Sequence, residues 1–199
     1  MTDQTSAAAR AYLAAGFSVI PLIPGSKLPA VAWTEFQKRL PTDEELVRWF
    51  EKTSNNLGLV LGAVSRGSFA FDFDSPELAL LTFDLERIAG VTFVQRTPRG
   101  YHVIFRSEGA PIRSTSFHAR GLALDVKGEG GYVVVAPSRL SDAVYTRISP
   151  DVRVATIEAG AYEALVERLL TRSPIIGVAP LYSALPRAKQ RPLSEWWGP

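Results

Sequence analysis

Two aspartates close a stretch of strongly alternating residues at positions 68–74. Every second residue there is a phenylalanine, at positions 69, 71 and 73. Side chains alternate across a strand, so the three rings share one face, which we expect to be the core face. The opposite face then carries Ser68, Ala70, Asp72 and Asp74.

Asp72 and Asp74 are candidate metal ligands. Two steps along a strand separate their Cα atoms by roughly 6.5–7 Å, so both carboxylates can reach one pair of divalent cations. Alternatively, Asp74 caps the helix that begins at Ser75. That alternative leaves Asp72 unexplained, and we therefore favour the metal interpretation.

A third carboxylate lies on a second alternating segment, Leu122–Lys127. Its leucines and valine predict a core face, which leaves Asp125 and Lys127 together on the other face. They form either a surface ion pair of little energetic value or a metal ligand beside a phosphate-binding lysine.

A turn that leads into a strand, Thr97–His102, supplies the third group of candidates. Gly100 permits close backbone approach, and the Arg99 guanidinium is a two-pronged donor suited to phosphate. His102 is a candidate functional residue only because it lies near this basic turn and the acidic strands, since a lone strand histidine is more often structural. His118 is interpreted as structural.

Composition excludes several classes of site. The chain has 199 residues, no cysteine and two histidines, so thiolate sites, disulfide scaffolds and three-histidine zinc sites are excluded. It contains neither a P-loop nor a G-x-S-x-G motif. The longest uncharged stretch, Ala11–Ser26, is interrupted by glycines and prolines, and we see no secretory signal. We expect a soluble, cytoplasmic protein without a membrane segment.

Charge is uneven along the chain. Residues 96–127 contain six basic residues and two acidic ones, although the whole chain is only +2. The segment is either a phosphate-facing surface or a solvated, arginine-rich loop. Candidate nucleic-acid contacts of the chain are Lys27, Arg96, Arg106, Arg113 and Arg120.

Local patterns predict alternating helices and strands. Helices are predicted at 5–15, from the capping box at Thr42 to about Lys52, from Ser75 to about Ala89, and at 160–171. Strands are predicted at 17–22, 57–61, 68–73, 92–97, 101–106, 122–127 and 132–136, the last two joined by a hairpin turn at 128–131. Pro21 indicates either an edge position for the first strand or the end of that strand. Prolines recur after Ser173, so residues 1–172 are predicted to be one folded domain and 173–199 a proline-rich tail or linker.

The order of these motifs resembles a known pattern. Asp-x-Asp on a strand, Gly-x-His after a turn, and then a hydrophobic residue followed by Asp are the three motifs of archaeo-eukaryotic primases. The flanking segments, including 11–22, 56–62 and 125–138, are similar to the bifunctional primase–polymerase family of plasmids, phages and other mobile elements. The resemblance covers about residues 7–147.

This resemblance implies an α+β fold, in which an RRM-like catalytic sheet adjoins an N-terminal α/β unit. It implies a DNA primase or polymerase that joins nucleoside triphosphates on a DNA template and primer. Asp72, Asp74 and Asp125 would hold two Mg²⁺ or Mn²⁺ ions, because oxygen ligands suit these metals. Nucleotide contacts would come from Arg99, Gly100, His102 and Lys127.

Two positions depart from the family pattern. Arg99 stands where a small hydroxyl residue or glycine is common, and Lys127 stands where an arginine is common. The family is often fused to a helicase, for which 199 residues leave no room, so we expect any helicase to be a separate protein or to lie outside these residues. Two alternatives remain open: another metal-dependent nucleotidyltransferase or nuclease, and a non-catalytic replication-initiation or single-strand-binding module. A binding module would favour exposed aromatic stacking platforms.

Overall fold

The computed structural model describes residues 2–117, 124–141 and 143–171. These residues form the helices α1 (Thr2–Ala14), α2 (Asp43–Phe50), α3 (Pro76–Thr82), α4 (Leu85–Ala89) and α5 (Ala159–Thr171). The strands are β1 (Ser18–Leu22), β2 (Asn56–Val60), β3 (Ser68–Phe73), β4 (Phe93–Arg96), β5 (Tyr101–Glu108), β6 (Thr115–Phe117), β7 (Leu124–Lys127), β8 (Tyr132–Val135), β9 (Arg139–Leu140), β10 (Ala143–Val144), β11 (Thr146–Arg147) and β12 (Thr156–Glu158). The fold is thus a mixed α+β arrangement.

The strands form two main sheets. The smaller has the order β1-β2-β8 and is antiparallel throughout. The larger has the order β11-β4-β5-β3-β7-β6, also antiparallel, with β12 added in parallel to the end of β5. β9 and β10 pair as a short separate ladder. Pro21 lies within β1 at a sheet edge, the first of its two predicted places, because proline cannot donate to a ladder.

Two hydrophobic cores lie on opposite faces of the larger sheet. Phe69, Phe71 and Phe73 are fully buried in one core, with side chains from α3, α4 and α5. The other core lies between the two sheets and includes Ala70. The face of β3 that carries Ser68 and Ala70 is therefore buried as well, because the smaller sheet covers it, and the expectation of a single core face was wrong there.

The hairpin predicted at 128–131 is absent, because its two flanking strands belong to different sheets. β7 pairs with β3 and β6, whereas β8 pairs with β2. A Cβ on Gly128 would collide with the carbonyl oxygen of Ile112, and the Glu129 amide donates to that same carbonyl over 2.7 Å. The glycines let the chain cross closely over residue 112 from one sheet to the other.

The helix predicted from Ser75 to Ala89 is two helices. Phe83 has an extended conformation (φ −135°, ψ 141°) and ends α3. The Asp84 carboxylate then accepts a hydrogen bond from the Arg87 amide over 3.2 Å and caps α4. An aspartate in the middle of an apolar helical pattern is an N-cap signal that the sequence interpretation passed over.

The helix α2 begins as the sequence predicts. The Thr42 hydroxyl accepts from the Glu45 amide over 3.2 Å, and the Glu45 carboxylate accepts from the Thr42 amide over 2.8 Å. Among the residues described, no helix combines the length and the apolar character needed to cross a membrane. The predicted tail at 173–199 lies outside the described residues.

Candidate active site

A row of polar residues crosses the larger sheet at one level. Antiparallel register places Gln95 opposite His102, His102 opposite Asp72, Asp72 opposite Asp125, and Asp125 opposite Ser116. Since neighbouring strands are about 4.8 Å apart, the row brings together groups that are distant in sequence. The first and third sequence motifs therefore meet directly, because Asp72 and Asp125 are cross-strand partners. The second motif lies on the other side of Asp72, where His102 is its partner.

The row begins where the core between the sheets ends. The next cross-strand row on the same face, two residues away along each strand, is apolar. It consists of Phe93, Ile104 and Ala70, which lie opposite one another and belong to that core. Period-two alternation gives Gln95, His102 and Asp72 the same face. The smaller sheet covers the apolar row, whereas Asp72 and His102 of the polar row line a pocket.

Asp72 is held by His102. The Nε2 atom of His102 lies 3.1 Å from Oδ1 of Asp72, and only 5% of the histidine side chain is exposed. Burial raises the pKa of the Asp72 carboxyl, but His102, Lys127 and Lys27 together outweigh burial and leave the pKa below its ordinary value. Asp72 is therefore an ionised carboxylate at neutral pH, as a metal ligand must be.

Asp125 is paired with the lysine of its own strand. Nζ of Lys127 lies 2.6 Å from Oδ2 of Asp125, two residues away on the same face. Burial raises the pKa of the Asp125 carboxyl, and so does the charge of Asp72. Lys127 and a hydrogen bond from Ser116 lower that pKa by a larger amount, so it lies below its ordinary value. The surface ion pair considered from the sequence is therefore present, and it adjoins Asp72.

The turn at 97–100 packs against the end of β3. A Cβ on Gly100 would collide with the carbonyl oxygen of Phe73, so only glycine allows this approach. The hydroxyl of Thr97 accepts a hydrogen bond from the Gly100 amide over 3.0 Å. Arg99 is thereby placed beside Asp74, with 2.9 Å between the guanidinium Nη2 and Oδ2, and its side chain is 65% exposed.

A pocket of about 310 Å³ opens beside Asp72. Lys27, from the loop after β1, lines it together with Asp74, Arg99 and His102. Thus the larger sheet and a loop that follows a strand of the smaller sheet both contribute to the pocket. Asp125 is the cross-strand partner of Asp72, and the charge of Lys127 acts on Asp72, although neither residue lines the pocket.

Two residues of the site were missed from the sequence. Tyr145 lines the pocket, and burial, together with the negative charges of Asp72 and Asp74, raises its pKa to about 12. It follows two short strands and carried no local signal. Gln95 carried one: its position on β4 is in phase with the buried Phe93, which marks a polar side chain that faces the interior.

The remaining basic candidates lie away from the pocket. Arg106 donates to the carbonyl oxygen of Ala15 over 2.7 Å and covers the Phe17 ring. It therefore connects β5 to the segment between α1 and β1. Arg96 and Arg113 are exposed and do not line the pocket. Arg120 and His118 lie outside the described residues.

The carboxylates suit a hard divalent cation in donor chemistry. Asp72 and Asp125 face each other on adjacent strands, and their oxygens are the ligands that Mg²⁺ and Mn²⁺ prefer. Across the described ranges, however, no three His, Cys, Asp or Glu side chains form a group that could hold a metal ion. Asp74 is instead paired with Arg99. A site built from all three aspartates stays a prediction.

Comparison with known families identifies the chain. The model of the family "Bifunctional DNA primase/polymerase, N-terminal" matches residues 9–159. The chain belongs to this family. The match spans all of the residues gathered in the polar row, from Asp72 to Asp125, and the loop that carries Lys27. No curated protein sequence matches the chain significantly.

Membership of the bifunctional primase–polymerase family indicates a nucleotidyltransferase-type enzyme with DNA primase or polymerase activity, for which DNA and nucleotides are the substrates. The family assignment agrees with the resemblance found in the sequence.

Proposed function

We propose that this chain joins nucleotides on a DNA template, and that the reaction takes place in the pocket beside Asp72. The observation that supports the proposal most is the register that puts Asp72 opposite Asp125. Three cationic side chains surround this pair of carboxylates: Lys27, Arg99 and Lys127. A carboxylate pair with cations around it matches the charge pattern of a divalent metal and a triphosphate.

Each side chain then has a role. Asp72 and Asp125 would hold Mg²⁺ or Mn²⁺, and Asp74 lies in the same pocket as Asp72 to serve as the third carboxylate. When bound, the divalent ions lower the pKa of the primer 3′-hydroxyl and neutralise charge on the α-phosphate. Lys127, Lys27 and Arg99 bind the phosphates and stabilise the pyrophosphate that leaves.

The turn at 97–100 orients the phosphates. Gly100 keeps it against the end of β3, and the exposed Arg99 guanidinium lies at the mouth of the pocket. A nucleotide phosphate would compete with Asp74 for Arg99, which releases Asp74 toward the other carboxylates. The departure from the family pattern at this position thus supplies an additional phosphate contact.

The larger sheet would be the RRM-like catalytic sheet that the resemblance implies. Its central strands β5, β3 and β7 carry His102, Asp72 and Asp125, and α3 and α4 pack against its opposite face. The smaller sheet with α1 and α2 would be the N-terminal α/β unit. We retain residues 1–172 as the catalytic domain and 173–199 as a linker or tail.

A neighbouring cleft of about 760 Å³ is the best place for a DNA strand. Tyr145 lines both this cleft and the pocket, so the two are adjacent. Arg139 and Arg147 line the cleft and are exposed, and none of its described lining residues is acidic. Two guanidinium groups among neutral polar side chains suit a phosphodiester backbone.

Extension of a labelled primer on a DNA template tests the proposal. With Mn²⁺ or Mg²⁺ and one nucleotide at a time, the protein should add only the nucleotide that pairs with the template, and chelation of the metal should stop the reaction. Binding of the DNA without any incorporation would contradict the proposal and favour the non-catalytic binding module. Hydrolysis of the primer would favour a nuclease.

A further inference from the structure

Gln95 lies fully buried between the two sheets and is next to the site, although no phosphate or metal could touch it. Its side-chain amide makes three contacts. Oε1 accepts from the Ala136 backbone amide over 3.0 Å, and Nε2 donates to the Val134 carbonyl over 2.7 Å. Nε2 also lies 2.8 Å from Nδ1 of His102.

The two backbone contacts fix the direction of the Gln95 amide. An amide N–H can only donate and a carbonyl oxygen can only accept, so the oxygen of Gln95 must face Ala136 and its nitrogen must face Val134. The second N–H of that nitrogen is then directed at Nδ1 of His102. Consequently Nδ1 is an acceptor, and the proton of the imidazole ring is on Nε2.

The Nε2 proton is directed at Asp72. Nε2 lies 3.1 Å from Oδ1 of Asp72, so the hydrogen bonds run from the backbone at Val134 and Ala136 through Gln95 and His102 to the carboxylate. Both ring nitrogens of His102 are engaged by protein groups. The ring is also held by Tyr145, whose centroid is 6.0 Å away.

We propose that Gln95 is a positioning residue, which through the tautomer of His102 holds the Asp72 carboxylate in one orientation in the pocket. The proposal rests on the proposed function for its catalytic consequence, although the hydrogen-bond order itself does not. It gives His102 a different role from the phosphate contact that the family resemblance implies. No described group hydrogen-bonds to Oδ2 of Asp72, which stays available for a cation.

The hydrogen-bond order can be tested without activity. Nitrogen-15 NMR of the histidine rings distinguishes the two neutral tautomers, and the chain has only two histidines to assign. In the wild-type protein His102 should show a protonated Nε2 and an unprotonated Nδ1. The opposite tautomer in the wild-type protein would overturn the proposal, even if no variant folds.

The variant Gln95→Met removes the amide and keeps the length of the side chain. Thr92→Val is the matched control, because Thr92 is also buried and lies directly before β4. This variant also loses buried hydrogen bonds, those of the Thr92 hydroxyl with Ile104 and Ala155, and neither bond involves His102. Gln95→Met should give mixed His102 tautomers, and Thr92→Val should keep the wild-type signal.

Primer extension gives the catalytic readout. Gln95→Met should lower kcat, or raise the metal concentration needed, by about 10–100-fold, which is the usual range for groups that orient metal ligands. The nucleotide KM should be unchanged. The proposal would be overturned if Gln95→Met left both the His102 tautomer and kcat unchanged. It would also be overturned if the variant raised the nucleotide KM and left kcat unchanged. If the wild-type protein extends no primer, the proposed function fails, while the NMR result still decides whether Gln95 sets the tautomer.

Discussion

Asp72 and Asp125 are direct partners across the β3–β7 ladder, although they are 53 positions apart in the chain. Each carboxylate is stabilised by a different neighbour, Asp72 by His102 and Asp125 by Lys127. The pKa values of both carboxyl groups lie below their ordinary values in spite of burial. The sheet thus holds two ionised carboxylates on adjacent strands, and the carboxylate of Asp72 lines a pocket.

Arg99 should contribute to nucleotide binding. In Arg99→Ala we expect the nucleotide KM to rise about 10- to 100-fold, because a charge-assisted hydrogen bond is worth about 1.5–3 kcal/mol and each 1.4 kcal/mol corresponds to a factor of ten. Steady-state primer extension measures the change. Arg153→Ala is the control, since Arg153 is also exposed and also pairs with an aspartate, Asp151. An unchanged KM with weaker template binding would assign Arg99 to the DNA instead.

Arg139 and Arg147 should bind phosphates of the DNA strand. Each change to Gln should weaken binding of single-stranded DNA irrespective of sequence, and should reduce the slope of log K against log salt by about 0.7, the value for one phosphate contact with a single strand. Fluorescence anisotropy at several salt concentrations measures both effects. Arg48→Gln on the exposed face of α2 is the control. Identical slopes for all three variants would remove the cleft from the DNA path.

Glu45 should make the stability of the fold depend on pH. The hydrogen bonds from Arg39, both 2.7 Å long, hold the pKa of Glu45 below its usual range. Such a group stabilises the fold above its unfolded pKa of about 4.3, and that contribution disappears as the pH falls through the lower folded value. Glu45→Gln should therefore reduce the free energy of unfolding more at pH 7 than at pH 3.

Urea unfolding at the two pH values measures this difference. Glu86→Gln is the matched control, because Glu86 is an exposed glutamate in the first turn of α4. We expect its effect to be nearly the same at both pH values. A loss of stability in Glu45→Gln that does not change with pH would show that packing, rather than the charge of Glu45, is responsible.

Local patterns predicted the parts of the site that depend on local geometry. Alternation along β3 put Asp72 and the three phenylalanines on opposite faces, and the phenylalanines are buried as predicted. The capping box at Thr42 formed with both of its hydrogen bonds. Gly100 lies at a close backbone approach, as its place in the turn suggested. In the capping box the neighbours are within a few residues, and on β3 the period of the strand fixes the direction of the side chains. The glycine indicated a close approach but not its distant partner, Phe73.

The other features depend on pairings between distant segments. β7 and β8 are adjacent in sequence and were interpreted as a hairpin, yet they enter different sheets. The covering of Ala70 by the smaller sheet follows from that same crossing. Tyr145 reaches the pocket only because β11 pairs with β4. Alternation specifies which face a side chain is on, whereas register and sheet order decide what that face meets.

The most direct measurement is primer extension by Asp72→Asn and Asp125→Asn, compared with the wild-type protein and with Asp43→Asn. Asp43 is exposed at the start of α2 and does not line the pocket, so its change is the control. If the paired carboxylates hold the metal, both site variants should remain folded and lose incorporation by about 100-fold or more, the scale of losing one electrostatic group at a reacting centre. Asp43→Asn should match the wild-type protein. Full template-directed incorporation by folded Asp72→Asn or Asp125→Asn would contradict the account.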